Sequence, residues 1–184
     1  MEIKAHDYPQ VYSGLGIDLR ELGCVMADLE PIQKLQYPAE VKFYTSKDPK
    51  KFWVKGLVAD KNPHVTLLYG LIQKPSKISA QIHQVLTGYE LTGIEFDHFD
   101  KFDSPYPDEP YYCVIGHVKV SEKLLEGHQR LSLLPHINTF GGYKPHVTIA
   151  YIEKDDAAYK KFVSGLNEQF AGKALPVKCI KLGK

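Results

Sequence analysis

The feature that most constrains the fold of this chain is a nine-residue stretch that occurs twice. Residues 62–70 read Asn-Pro-His-Val-Thr-Leu-Leu-Tyr-Gly, and residues 144–152 read Lys-Pro-His-Val-Thr-Ile-Ala-Tyr-Ile. The two histidines, His64 and His146, are 82 residues apart, which is too far for a short-period repeat array. The spacing indicates two halves of one domain, each of which contributes a strand to a shared site.

Alternation within each copy predicts a strand with one polar and one apolar face, because successive side chains of a strand point to opposite sides of the sheet. The polar side carries the histidine and the threonine of each copy: His64, Thr66, His146 and Thr148. The side expected to face the core carries the apolar residues and the tyrosine: Val65, Leu67, Tyr69, Val147, Ile149 and Tyr151. The prolines before the histidines lack an N–H, which suits the start of a strand.

The composition is that of an ordinary globular protein. The 184 residues are 43% hydrophobic and 24% charged, and this length is sufficient for one domain with a substantial core. The formal net charge of +1 gives no reason to expect a broad polyanion-binding surface. A nucleic-acid ligand is therefore expected to be small and held in a pocket.

The cysteines and the N-terminus bear on the cellular setting. Cys24, Cys113 and Cys179 are isolated and odd in number, so a complete disulfide framework is not expected. Each cysteine is expected to be a buried, reduced thiol. The N-terminal residues contain no apolar signal core, and no segment is long enough to span a bilayer. We expect a soluble, cytoplasmic protein without a membrane partner.

Local patterns predict the order of helices and strands. Strands are expected at residues 23–29, 40–45, 91–102, 111–120 and 174–182, besides the two motif strands. Helices are expected to begin at the N-cap residues Ser76 and Ser121 and at Asp155–Asp156. Residues 1–21 are interpreted as an arm, and residues 31–61 as excursions that cover a cleft.

The two halves match beyond the motifs. The distance from the motif histidine to the glycine that ends the next helix is 24 residues for Gly88 and 26 for Gly172. We therefore predict an α+β protein in which residues 1–184 form a single domain with two pseudo-symmetric lobes, about 22–102 and 111–182. Each lobe is expected to be a mainly antiparallel sheet with flanking helices beside a central cleft, with exchange of strands between lobes left open.

Two histidines and two threonines suit the cleavage of a phosphodiester. One imidazole can deprotonate the attacking oxygen while the other protonates the leaving oxygen. Imidazole suits both roles because its unperturbed pKa lies near neutrality. A threonine two residues further along the strand points the same way, so its hydroxyl can donate to phosphate oxygens.

Paired His-x-Thr motifs in a duplicated α+β chain resemble the 2H phosphoesterase superfamily, which includes LigT-like RNA 2′,3′-cyclic phosphodiesterases. The form of both motifs looks similar to phage-encoded members, some of which destroy the cyclic oligonucleotide signals of bacterial defence. The resemblance covers roughly residues 22–182. It implies a phosphodiesterase with no metal and no cofactor, in which His64 and His146 are the acid and base and Thr66 and Thr148 bind phosphate.

Several functional alternatives stay open at this point. The ligand is expected to be a small nucleotide or cyclic oligonucleotide, with RNA ends as an alternative substrate and a non-catalytic, sequestering nucleotide-binding module as a different class of function. Tyr12, Tyr143 and Trp53 are candidates for stacking on bases, although a place in the core is the favoured interpretation of Trp53. No obligate protein partner is indicated.

The remaining histidines give no linear metal-binding pattern. There is no His-Glu-x-x-His, no His-x-His and no Cys-His cluster. Four histidines outside the motifs lie on or near predicted strands and helices and are interpreted as structural: His98, His117, His128 and His136.

Overall fold

A computed structural model of the chain describes residues 22–31, 42–44, 53–55, 63–102, 108, 110–138 and 141–183. Tyr12 and the predicted arm lie outside these residues, as does most of the stretch 31–61. Trp53 is described as part of a strand backbone, and its predicted side-chain roles lie outside what is described.

The described residues form eight strands and three helices. The strands are β1 (Gly23–Leu29), β2 (Lys42–Tyr44), β3 (Trp53–Lys55), β4 (His64–Leu71), β5 (Gly93–Lys101), β6 (Tyr111–Val118), β7 (His146–Glu153) and β8 (Ala174–Leu182). The helices are α1 (Ser79–Val85), α2 (Glu122–Leu131) and α3 (Asp156–Phe170). The predicted α+β class is confirmed.

All strand pairs are antiparallel, and the strands follow the order β3-β2-β7-β6-β5-β8-β1-β4. Strand β5 connects the two halves, because its first residues pair with β8 and its later residues pair with β6. The C-terminal strand β8 lies between β5 and β1, so the last strand of the chain completes the sheet of the first half.

The sheet curves so that the two motif strands meet. Strand β4 is at one end of the described sheet and β7 is near the other end, and the two are not hydrogen-bonded neighbours. Even so, Cα atoms of β4 and β7 come within 8 Å of each other. The curvature thus brings together two segments that are distant both in sequence and in strand order.

The core lies between the inner face of the sheet and the helices. Each helix buries apolar residues in this core, such as Ile82 of α1, Leu124 of α2 and Phe162 of α3. Helix α2 packs on β4, α3 packs on β5, and α1 packs against α2. Val65 and Val147, the residues after the motif histidines, are completely buried. Burial of these apolar side chains supplies the main driving force for folding.

Two of the three predicted helix starts are confirmed. Ser121 accepts a hydrogen bond from the backbone N–H of Leu124, and Asp155 accepts one from Ala158. The predicted cap at Ser76 is wrong, because α1 begins later and has no side-chain cap. Residues 75–77 instead form a hydrogen-bonded turn.

None of the three cysteines is in a disulfide, but the expectation that all are buried is wrong. Cys24 and Cys113 are half-buried and Cys179 is exposed. Within the described residues, no helix combines the length and the apolar character needed to cross a membrane.

Candidate active site

The two motif strands begin in the same way. In β4 and β7 the histidine and the threonine are half-buried, while the residues that follow each of them are buried. This alternation confirms the prediction for the first four positions of each strand. It places His64 and Thr66 on one side of β4, and His146 and Thr148 on the equivalent side of β7.

The prolines before the histidines are held by equivalent bonds. The carbonyl of Pro63 accepts a hydrogen bond from the N–H of Leu29 at 2.9 Å, and the carbonyl of Pro145 accepts one from the N–H of Val118 at 3.0 Å. Because neither proline has an N–H to donate, the carbonyl is the backbone group that can anchor it. Both motif strands are therefore fixed at the end that carries the histidine.

A β-bulge interrupts β4 just after its His-Val-Thr segment. Thr66 lies opposite Met26, whereas Leu68 lies opposite Val25, so Leu67 is an additional residue without its own partner. A bulge of this kind places two residues of one strand against one residue of the other and bends the strand.

Strand β7 contains a bulge at the equivalent position. Thr148 lies opposite Ile115, and Ala150 lies opposite Val114, which leaves Ile149 as the additional residue. In both strands the additional residue is the third after the histidine. The duplication therefore extends from the sequence motif to an irregularity of the backbone.

The bulges change the side to which the motif tyrosines point. The side chains at both residues of each bulge are buried, and the next residue is exposed: Tyr69 and Tyr151 are each 41% exposed. The prediction that these tyrosines face the core is thus wrong, because the additional residue reverses the alternation. Both tyrosines therefore lie on the same side as the histidine and the threonine and belong to the candidate site. The sequence signal for them is that the tyrosine recurs five residues after the histidine in both motifs.

Two side chains bond to the backbone of β4, one from helix α2 and one from the segment before β7. The hydroxyl of Tyr143 donates to the carbonyl of Thr66 at 3.1 Å, and Nδ1 of His128 donates to the carbonyl of Leu67 at 2.8 Å. Their rings stack with centroids 4.1 Å apart and planes 10° apart. Because β4 is the terminal strand of the described sheet, these side chains supply donors that a neighbouring strand would otherwise supply.

These contacts give Tyr143 a defined structural part. One face of its ring lies against His128, and burial raises the pKa of its hydroxyl above the ordinary value. The predicted stacking of Tyr143 on a base stays a prediction. The structure shows a hydrogen bond from the hydroxyl of Tyr143, three residues before His146, to the carbonyl of Thr66, two residues after His64.

The imidazole of His146 has a defined proton position. Its Nδ1 lies 3.0 Å from the carbonyl oxygen of Lys144, and a carbonyl can only accept, so Nδ1 carries the hydrogen. This bond leaves Nε2 as the atom that can take or give a proton. The ring of Phe102 lies beside it, with centroids 5.5 Å apart.

The two motif histidines have different neighbours across the sheet. Asp28 of β1 lies opposite His64, and its carboxylate is 3.6 Å from Nζ of Lys181. His117 of β6 lies opposite His146. Directly opposed residues of an antiparallel pair place their side chains on the same face, so a carboxylate accompanies one motif histidine and an imidazole accompanies the other.

Comparison with known protein families gives a match over most of the chain. The model of the 2′-5′ RNA ligase superfamily matches residues 28–182, which include both motif strands and all three helices. This chain belongs to the 2′-5′ RNA ligase superfamily. A search of curated proteins finds no match.

Membership confirms the resemblance to LigT-like 2H phosphoesterases at the level of the superfamily. Members of the 2H group are phosphodiesterases, so the chain is an enzyme of the hydrolase class. The duplicated motif strands carry two imidazoles and two hydroxyl groups on neighbouring segments.

Proposed function

We propose that His64 and His146 are the general acid and base of a phosphodiesterase that cleaves a cyclic nucleotide or cyclic oligonucleotide without a metal ion. The observation that carries the proposal is the approach of two motif strands that share their burial pattern over the first seven residues and have the same bulge. Thr66 and Thr148 lie on the same sides as the histidines, where their hydroxyl groups would donate to the non-bridging oxygens of the phosphate.

The reaction needs one proton acceptor and one proton donor on opposite sides of phosphorus. One imidazole takes the proton of the attacking hydroxyl or water while the P–O bond forms, and the other gives a proton to the leaving oxygen as its bond to phosphorus breaks. For His146 the atom that carries out this transfer is Nε2, since Nδ1 is bonded to the Lys144 carbonyl. The approximate symmetry of the two strands allows either histidine to take either part.

A 3′–5′-linked cyclic oligonucleotide offers both a substrate and a nucleophile. Its own 2′-hydroxyl attacks the adjacent phosphate, which opens the ring and leaves a 2′,3′-cyclic phosphate. The same pair of histidines then activates water to hydrolyse that product. A small cyclic ligand also agrees with the net charge of +1, which does not favour a long polyanion.

Aromatic side chains on the polar side of the motif strands suit a ligand with exposed bases. Tyr69 and Tyr151 are each 41% exposed, and base–aromatic stacking contributes about 1–3 kcal/mol per base. Tyr12, Trp53 and Tyr143 remain candidates for the same role. None of these contacts needs a protein partner or a membrane.

The biological setting that best matches the form of the motifs is a phage enzyme that acts in the host cytoplasm. Its substrates would be the cyclic nucleotide signals of bacterial immunity. This part of the proposal rests on the resemblance of both Pro-His-Val-Thr segments to phage-encoded members of the superfamily.

A second candidate substrate is RNA with a 2′,3′-cyclic phosphate end. The observation that favours it is the match to a superfamily named for RNA chemistry. The same two histidines would act on it, so the two candidates differ in the ligand and not in the mechanism.

One experiment tests both candidates. Purified protein is incubated in EDTA with cyclic dinucleotides, cyclic trinucleotides and linear RNA ending in a 2′,3′-cyclic phosphate, and the products are separated by chromatography. We expect cleavage of a cyclic oligonucleotide by the wild type and its loss in both His64→Ala and His146→Ala. His83→Ala serves as the matched control, because His83 is exposed on α1, outside the motif strands.

The outcomes separate the alternatives. Cleavage that survives both motif substitutions would overturn the mechanism, and cleavage of linear RNA alone would replace the proposed substrate by the second candidate. A ligand that is bound by the protein and recovered unchanged after denaturation would identify a sequestering module.

A further inference from the structure

A cluster of three potential metal ligands lies on the sheet face that carries His146. His98 and Asp100 belong to β5 and His117 belongs to β6, and His98 lies directly opposite His117. One ligand atom from each of the three residues lies within 4.8 Å of the other two. His117 in turn lies opposite His146 of β7, so the cluster is one strand away from the candidate active site.

Both imidazoles of the cluster point an Nε2 atom at the same carboxylate. Nε2 of His117 is 2.7 Å from Oδ1 of Asp100, and Nε2 of His98 is 3.5 Å from Oδ2 of Asp100. The two rings are stacked, with centroids 4.3 Å apart and planes 16° apart. The sheet therefore holds two nitrogen atoms and a carboxylate in a convergent arrangement before any ligand arrives.

A second carboxylate, that of Asp97, fixes the tautomer of the His98 imidazole. Nδ1 of His98 is 2.7 Å from Oδ2 of Asp97, and an ionised carboxylate can only accept, so Nδ1 carries the hydrogen. In the neutral ring Nε2 then has a free lone pair. A carboxylate on the far nitrogen of a histidine ligand is the usual arrangement around protein-bound metal ions, where it fixes the tautomer and the ring orientation.

We propose that His98, Asp100 and His117 form a binding site for one divalent transition-metal ion, with Asp97 as the outer carboxylate. Tetrahedral coordination with bonds of about 2.0–2.2 Å places ligand atoms about 3.4 Å apart. The separations of 2.7 Å, 3.5 Å and at most 4.8 Å in the cluster lie around that value, so small side-chain rotations suffice. The ion takes the place of the hydrogen that Nε2 of His117 donates to Asp100, and that proton is released on binding.

The chemistry of the donors selects the class of ion. Two imidazole nitrogens and one carboxylate favour zinc, cobalt, nickel, copper or iron, whereas Mg²⁺ and Ca²⁺ prefer sites made of oxygen. The three side chains are between 32% and 51% exposed, which leaves access for the ion and a coordination position for water. This site was missed in the sequence because its histidines are on different strands, 19 residues apart.

The metal site is independent of the proposed phosphodiesterase mechanism. In that mechanism the two motif histidines move the protons and no metal takes part, whereas the cluster is tested by binding alone. Failure to bind metal would leave the acid–base proposal intact, and loss of the acid–base proposal would leave the metal site intact.

The experiment is a titration of untagged, EDTA-treated and then desalted protein. Zn²⁺ is followed by calorimetry, and Co²⁺ by the visible absorption that appears on coordination. The starting protein carries Cys179→Ser, because the exposed Cys179 thiol is a competing ligand for both ions. We expect one ion per chain, with no comparable binding of Mg²⁺ or Ca²⁺.

Substitutions assign the ligands. We expect His98→Ala and His117→Ala each to abolish the cobalt absorption and to weaken Zn²⁺ binding at least 100-fold. Asp97→Asn is expected to weaken it roughly 10–100-fold, which is typical for an outer partner of a metal ligand. His83→Ala, an exposed histidine on α1, is the matched control and should bind as the starting protein does.

Three results would overturn the site: absence of binding, unchanged binding in His98→Ala and His117→Ala, or equal binding of Mg²⁺. Circular dichroism and thermal unfolding of every variant show whether a loss of binding comes from a loss of fold. Asp100→Asn keeps the shape of the side chain and provides a second, milder variant that should also weaken Zn²⁺ binding.

Discussion

The half of the molecule built on β1 and β4 and the half built on β6 and β7 share their backbone geometry in detail. In both, a proline carbonyl anchors the motif, a bulge follows the threonine and an exposed tyrosine comes next. Even the residues opposite the tyrosines agree, since Cys24 faces Tyr69 and Cys113 faces Tyr151. Such agreement indicates that the two motifs present their functional groups in the same way.

The same halves differ in what surrounds the motif. Asp28 lies opposite His64, whereas His117 lies opposite His146. Six residues past the histidine, the first half has Gly70, bonded to Ile137, and the second has Ile152, paired with Phe43 of β2. The two halves therefore duplicate the backbone geometry of the candidate site, while each half supports it through its own contacts.

Substitution of the motif histidines should have the largest effect, and the loss of kcat should be equal for His64 and His146. His64→Ala and His146→Ala should each lower kcat by about 10²–10⁴, because each removes one proton-transfer step. The double variant should lose little more than either single variant, since the two groups act as a unit. Single-turnover kinetics on the substrate found in the EDTA panel would measure this. Substantial turnover in one variant alone would show that the halves are not equivalent.

The next effect is expected at Gly70, where the halves differ. Its φ is +99°, and an added Cβ would collide with the carbonyl oxygen of Ile137. A residue other than glycine at such a positive φ costs about 1–3 kcal/mol of backbone strain, and the collision raises this cost further. We therefore expect Gly70→Ala to lower the free energy of unfolding by more than about 3 kcal/mol, measured by urea denaturation.

Gly88→Ala is the control for the effect of backbone strain alone. Gly88 has a φ of +70°, but an added Cβ meets nothing within 4 Å, so a loss of only about 1–2 kcal/mol is expected. Equal losses in the two variants would show that the contact between Gly70 and Ile137 does not constrain the first half.

A smaller effect is expected for the bond between Tyr143 and Thr66, one of those that join the halves. Tyr143→Phe removes the hydroxyl that donates to the carbonyl of Thr66, and loss of such a bond costs about 0.5–1.5 kcal/mol of stability. Because the bond positions the strand that carries His64, kcat/KM should fall as well. Tyr89→Phe loses a similar bond to the carbonyl of Lys123 and should lower stability without lowering turnover. A fall in turnover of the same size in both variants would count against a specific link between the motifs.

The smallest expected effect is on the pH dependence of the free energy of unfolding, and it comes from Cys24 in the first half. Burial raises the pKa of the Cys24 thiol above 9.0, so above that pH the folded chain retains a proton that the unfolded chain loses. The free energy of unfolding should therefore be unaffected well below pH 9 and should decrease as the pH rises past it. Denaturation from about pH 7 to about pH 10 should show a shallower decrease in Cys24→Ala than in the wild type. Cys179→Ala changes an exposed thiol and should leave the slope as it is.

Local sequence signals were sufficient for much of the fold. Strands β1 and β8 begin and end where the apolar and alternating patterns predicted, and Ser121 and Asp155 cap helices as expected. These features depend on interactions within a few residues, which the sequence states directly. The same holds for His64 and His146 at the start of their strands, because a proline and alternation over four residues determine their side.

Tertiary structure decided what depends on partners far away in the chain. The additional residues Leu67 and Ile149 are recognised only from the register against β1 and β6, and they are the reason the motif tyrosines lie on the polar side. The convergence of His98 and His117 likewise needs the pairing of β5 with β6. Sequence by itself determined the chemical groups and the strands that carry them. The curvature and register of the sheet decided which groups meet, because these depend on packing between distant segments.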